Sequence, residues 1–270
     1  PQMYKVLKNW ELATAKIKRL HVQHYRHVYD ATFLVEKLSE GELFFEAPDK
    51  GRINIRGIEP KKPTSDRRDL KTGKPYTCEA DTSEQWICDG KFIWQVDEKA
   101  KTITEMPLPK EVQGLKIMDT PMPFLFGMPV DQARQRYDLS FSPDRPDNRP
   151  EFEVWLDVKP RLPQDAANWS SAKVILDSRN YLPRFVKMID PGGNLETVYQ
   201  FGNAKINRWE LPWQEDYKPP KVGYEKQALP VAANPNPNTC PSLIGLNAKN
   251  AAKVLEQAGY EVKWHRGEPA

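Results

Sequence analysis

The sequence predicts an α+β fold built on a large antiparallel β-sheet with one apolar face. Three observations predict it. Residues 84–109 read as three short strands in succession, joined by Asp89-Gly90 and by the charged run 97–101. Asp-Gly suits a two-residue hairpin because both central residues of that turn need φ > 0. Between the turns Phe92, Trp94 and Val96 alternate with Lys91, Ile93 and Gln95, the period-2 pattern of a strand with two unlike faces. A second meander covers 172–176, 183–189, 195–201 and 204–207, turning most tightly at Asp190-Pro191-Gly192-Gly193-Asn194. Ahead of both, residues 3–19 carry Met3, Leu7, Trp10 and Ile17 near one stripe and lysines elsewhere, an amphipathic helix.

The remaining elements follow in order. Residues 20–35 have β-branched and aromatic strand character. A second strand covers 39–47, with Leu43 and Phe45 on one side and Glu42, Phe44 and Glu46 on the other. Pro48-Asp49-Lys50-Gly51 is a turn, and 52–58 is a third strand. Residues 60–75 are polar and lysine-rich and read as an exposed loop. Residues 119–128 are apolar but broken by proline, which favours a short helix or lid over a strand. Helical turns at 130–136 and strands at 137–142 and 151–159 lead into the second meander, and 209–213 closes the domain. The division is then a domain over 1–216, a proline-rich linker over 217–239 and a small βαβ-like appendage over 240–270. In the appendage, 247–258 reads as a helix with Gly259 at C′, followed by a short strand at 260–265. About thirty residues bury little core alone, so this unit must dock on something.

Composition removes several function classes. The chain has 270 residues, 39% hydrophobic and 29% charged, which describes a globular protein of one large or two smaller domains. Its 40 basic and 37 acidic residues are interspersed and leave a net charge of +3, unlike a nucleic-acid-binding stripe. No apolar run approaches the roughly 20 residues of a transmembrane helix. The chain starts at Pro1, so it reads as a mature or trimmed form whose signal peptide is out of view. Three cysteines, Cys78, Cys88 and Cys240, are too few and too irregular for a disulfide scaffold or a zinc site. Cys78 and Cys88 flank a hairpin-like stretch and are either bridged or two small buried hydrophobes.

Catalytic patterns are weak. His21, His24 and His27 recur every third residue. A helix would gather them on one face; a strand points His24 away from the other two and spoils a ligand set. There is no G-x-S-x-G elbow, Ser170-Ser171 has no neighbouring histidine, and the carboxylate pairs Asp97-Glu98 and Glu215-Asp216 read as solvated charge. Gly192-Gly193 lies in a hairpin and not in a strand-to-helix phosphate loop. The reading is a non-enzyme without cofactor or metal. The aromatic and apolar side chains are the richer signal. Trp86, Trp94, Trp155, Tyr199 and Phe201 fall on strands, and Phe124, Leu125, Phe126 and Met128 on the lid. Such residues form either an ordinary filled core or the lining of an apolar cavity between a curled sheet and its helices.

The order of motifs resembles the LolA-like outer-membrane lipoprotein carrier fold. The matching pieces are Gly41-Glu42-Leu43-Phe44-Phe45, Pro48, Asp89-Gly90-Lys91-Phe92-Ile93-Trp94, the segment 121–128 and the turn 190–194, spread over about residues 1–215. More narrowly the chain is similar to a planctomycete group of envelope proteins with that fold. The resemblance implies about eleven antiparallel strands curled into an incomplete barrel, helices covering it, an apolar cavity for acyl chains and a periplasmic or cell-envelope home. One departure stands out: carriers of this family often place an Arg before the conserved Pro, where this chain has Ala47, so a latched open–closed cycle does not carry over. Residues 240–262, with Cys240-Pro241-Ser242-Leu243-Ile244-Gly245-Leu246 and Tyr260-Glu261-Val262, resemble the first half of a PASTA module.

Two functions are expected from this. One is carriage or binding of a lipid or an acylated lipoprotein in a cavity lined by Leu43, Phe45, Trp86, Trp94, Phe124, Leu125, Phe126 and Met128. The other is a non-enzymatic envelope scaffold with a filled core, binding envelope proteins or peptidoglycan through its loops and its C-terminal segment. Neither involves nucleic acid.

Overall fold

The structure is a computed structural model and describes residues 2–108, 124, 127–208, 217–220 and 222–228. Helix α1 spans Gln2–Ala15 and buries Leu7, Trp10 and Thr14, spaced so that one stripe faces inward. The first half of the sheet follows: β1 (Arg19–Asp30), β2 (Val35–Glu46), β3 (Lys50–Gly57), β4 (Thr64–Arg68), β5 (Pro75–Ala80), β6 (Glu84–Cys88), β7 (Phe92–Asp97) and β8 (Thr102–Pro107). Helix α2 (Val130–Arg136) leads into β9 (Tyr137–Phe141) and β10 (Glu153–Pro160), and the one-turn helix α3 (Pro163–Ala166) precedes β11 (Ser171–Asp177). Strands β12 (Leu182–Ile189), β13 (Leu195–Phe201), β14 (Lys205–Ile206) and β15 (Glu225–Ala228) complete the described chain.

All fifteen strands join one open sheet in the order β15-β8-β7-β6-β3-β2-β1-β13-β12-β11-β10-β9, with β14 beside β1 and β4-β5 beside β2. The large sheet and both meanders therefore form as the alternation predicts. The pairing is not purely antiparallel. β5 runs parallel to β2 through Val35–Leu38, and β15 runs parallel to β8. The expected exposed loop over 60–75 contains β4, whose polar side chains alternate exposed and half-buried while its backbone pairs with β5. Within residues 217–239, expected as a linker, Tyr217 is buried and β15 pairs with β8, while 221 and 229–239 lie outside the described residues. Neither segment is apolar enough to declare itself as a strand, because backbone pairing at an edge needs little side-chain burial.

The strand register defines two faces. Across β1, β2, β3 and β6, Val22, Leu43, Ile53 and Trp86 are paired in one row, and partners opposite each other share a face. This inner face continues through Tyr199 and Phe201 of β13, Val186, Val174 and Leu156 to Tyr137 of β9. It meets the buried stripe of α1 in a single hydrophobic core. On the outer face Ile87, Trp94, Val96 and Ile103 form a second, smaller cluster, closed over by Tyr217 and flanked by Phe92 and Tyr224.

Elsewhere the outer face combines apolar rows such as Trp155, Ile175 and Phe185 with ion pairs. Lys173 reaches Asp157 and Asp144, each at 2.9 Å, and Arg67 of β4 lies 4.1 Å from the Tyr29 ring centroid while its guanidinium pairs with Glu196. Burial of Glu36 works to raise its carboxyl pKa, but hydrogen bonds from Ser65, His27 and Tyr29 outweigh it and hold the group below its usual range.

Candidate functional site

The candidate site is the inner face and what covers it. Leu43 and Phe45 lie in the core of β2, and Trp86 of β6 is half-buried against the same core. Phe124 is fully packed between Tyr137 and Trp169, with ring centroids 5.6 and 5.3 Å away, and takes a φ of 71° to reach that slot. Gly127 follows and lies against α1. Its N–H donates to the Thr14 hydroxyl at 3.0 Å, and that hydroxyl donates to the Trp10 carbonyl at 2.8 Å. A Cβ on Gly127 would stand 2.7 Å from the Trp10 carbonyl carbon, so only glycine lets the segment approach the helix this closely. Met128 is half-buried on the core, and the Val130 N–H, at the start of α2, donates to Glu11. Leu125 and Phe126 lie outside the described residues, as do 109–123, 209–216 and 229–270.

Six of the eight expected lining residues are thus placed, and one of them lies on the wrong face. Trp94 pairs with Ile87, not with Trp86, so it points outward into the cluster under Tyr217. Its indole N–H donates to Glu105 at 2.8 Å. Trp86 pairs with Gln95 and faces inward. Alternation along one strand was legible in the sequence. The relative phase of two strands across the Asp89-Gly90 turn was not, because a one-residue change in register exchanges the faces.

The three histidines separate as strand geometry requires. His21 and His27 sit on the outer face, 2.9 Å from Glu42 and 2.7 Å from Glu36. His24 points inward, is 1% exposed, and has no hydrogen-bond partner for either ring nitrogen among the described residues. Desolvation first, and the Arg26 charge second, push its pKa down to about 4, so the ring is neutral near pH 7. The ring stands over Gly41, where a Cβ would meet its Cε1 at 2.9 Å.

Beyond His24 along β1 lies a half-buried charge cluster that the sequence alone does not show. Arg26 donates to Asp81 at 2.7 Å and to the Ser39 hydroxyl at 3.2 Å, and stands 3.6 Å from Glu84. Burial pulls the Arg26 pKa down, but Tyr199 and Asp81 outweigh it and the net shift is upward. Burial pushes the Tyr199 hydroxyl pKa up, so it stays protonated. No single residue type gave this cluster away. Arg26 and Asp81 are far apart in sequence and meet only through the sheet.

Among the described residues no group of three or more His, Cys, Asp and Glu could hold a metal ion. Cys78 and Cys88 are free thiols: Cys78 contacts Glu36 from β5, and Cys88 ends β6 near the Asp49 carbonyl. The hairpin that would have brought them together does not form, because β5 pairs with β2 and β6 with β3. No described helix is long and apolar enough to cross a membrane.

No protein-family model and no curated protein matches the chain. Solved structures similar to it include an uncharacterised conserved protein from Thermus thermophilus, with TM-score 0.48 and 9% identity over 85% of this chain and all of that one. The Pseudomonas aeruginosa MucA/MucB complex is similar at TM-score 0.41 and 15% identity, over 82% of this chain and 62% of that one. A LolA superfamily protein from Nitrosomonas europaea is similar at TM-score 0.33 and 8% identity, over 76% of this chain and 93% of that one. The PASTA-like segment lies outside the described residues.

Proposed function

We propose that this protein binds the apolar part of an amphiphile, a lipid or an acylated lipoprotein, between the inner face of its sheet and the covering formed by α1 and the segment around Phe124 and Met128. The observation that carries this reading is the contrast between the two faces. The outer face carries most of the sheet's ion pairs beside smaller apolar patches, whereas the inner face carries the main hydrophobic core from β3 to β9, with half-buried apolar side chains packed against it, among them Met3, Val6, Trp86, Met128, Leu139 and Met188. Apolar surface left half-covered is where an acyl chain gains most from contact, at about 0.8 kcal/mol per buried methylene. The sheet is an open path without closure, so it can curl around such a chain and leave a side for entry. The LolA-like order of motifs accords with an envelope home and with carriage of this cargo.

A second reading, an envelope scaffold with a filled core, has its own support. Phe124 fills the slot between Tyr137 and Trp169, and Leu156, Val158, Val174 and Leu176 are wholly buried. One pair of variants separates the two readings. Trp86→Glu places a charge on the inner face and Trp94→Glu places one on the outer face. Uptake of a fluorescent fatty acid should fall about tenfold or more with Trp86→Glu and little with Trp94→Glu, given the cost of burying an unpaired carboxylate beside the ligand. Equal uptake by both folded variants, or none by the unmodified chain, would favour the filled scaffold.

A further inference from the structure

The inner face is graded along the strand direction. Its rows, each about 7 Å from the next at two residues per row, run from Leu20 and Phe45, through Val22, Leu43, Ile53 and Trp86, to His24, Gly41, Ile55 and Glu84. The next step along β1 and β2 brings Arg26 and Ser39, with Asp81 and Tyr199 joining them. One end of the face is therefore hydrocarbon and the other is hydrogen-bonding. At the boundary stands His24, buried, with both ring nitrogens unpartnered among the described residues. Buried polar side chains are nearly always hydrogen-bonded, to protein or to water, and one left unmet costs about 1–3 kcal/mol, so this ring calls for a partner.

We propose that His24 is the head-group recognition residue of this face and that it selects a neutral, hydroxyl-bearing amphiphile, such as a monoacylglycerol, over a carboxylate. This rests on the amphiphile-binding reading above. A neutral imidazole offers one N–H donor and one acceptor nitrogen on separate edges of the ring, and a head group with two hydroxyls, each able to accept or donate, can meet both. A carboxylate only accepts and would leave the second nitrogen unmet. It would also approach a cluster in which Arg26 already faces two carboxylates, Asp81 and Glu84. That cluster carries one excess negative charge and repels another. Gly41 and Phe201, opposite His24 on the two adjacent strands, offer the ring no polar side chain, and the tail of the ligand would run towards Trp86 and Phe45.

The test compares 1-monolaurin with laurate, identical in chain length and unlike only in the head, by titration against the intact chain at neutral pH. Monolaurin should bind about tenfold more tightly, the ratio expected from one buried hydrogen-bonding group left unpaired. The variant His24→Phe, which keeps a ring and removes both nitrogens, should cut the ratio several-fold, leaving only the part due to the charge of the Arg26 cluster. A second readout needs no variant: both ¹⁵N resonances of the His24 imidazole should shift on adding monolaurin, and over the same concentration range they should shift far less on adding laurate. Laurate binding as well as monolaurin, or unmoved His24 resonances at saturating monolaurin, overturns this inference and leaves the amphiphile-binding reading intact. Binding of neither ligand overturns both.

Discussion

His24 also sets a pH dependence that can be read without any ligand. Its folded-state pKa, lowered to about 4, lies below the 6.5 of the exposed ring. Besides Arg26 on its own strand, the ring faces Tyr199 of β13, with centroids 5.9 Å apart, and that hydroxyl stays protonated throughout the range. Between pH 6.5 and about 4 the unfolded chain binds the proton and the folded chain does not, so stability falls as pH falls. The contribution is whole above pH 6.5 and is lost progressively down to about pH 4. A shift of this size is worth about 3 kcal/mol, at 1.36 kcal/mol for each pKa unit. Urea midpoints of the unmodified chain and of His24→Phe, measured from pH 7 to pH 4, should diverge, with the flatter profile belonging to the variant. Parallel profiles would mean that the ring is solvated or paired in solution. The sequence placed His24 on the opposite side of β1 from His21 and His27, because strand parity alone decides that. Its isolation could not be read there, since it depends on Gly41 and Phe201 from neighbouring strands.

At the level of elements, Gly127 packs closely against α1. Substituting Gly127→Ala forces a Cβ into the backbone of Trp10 and Glu11, atoms that cannot turn aside. Overpacking of this kind costs about 1–3 kcal/mol. A drop in thermal midpoint with the sheet's far-UV signature retained below the transition is the expected result, and an unchanged midpoint would show that this segment does not dock on α1. The elements most legible in the sequence were those whose side chains alternate: the strands of both meanders and α1 appear within a few residues of their expected bounds. Strands β4 and β15 were missed because their side chains are polar and their pairing is a property of the backbone. Trp94 was assigned to the wrong face for a related reason. The alternation within β7 was correct, but the register of the Asp89-Gly90 hairpin decides which face is inner.

For the whole molecule, the central claim is that an open sheet whose inner face carries the main hydrophobic core holds the apolar part of an amphiphile there. The two-faced sheet is legible from alternation, and the half-buried cluster of Arg26, Asp81, Glu84 and Tyr199 is not, since its members come together only across the folded sheet. That cluster gives the inner face a polar end and so a direction. The most direct measurement is native mass spectrometry of the purified intact chain before and after organic extraction, followed by back-titration with a single-chain amphiphile. The account predicts a bound species of defined mass that extraction removes, and stoichiometric re-uptake of the added amphiphile. A bare chain that takes up no amphiphile would contradict it and leave the inner face as a filled core.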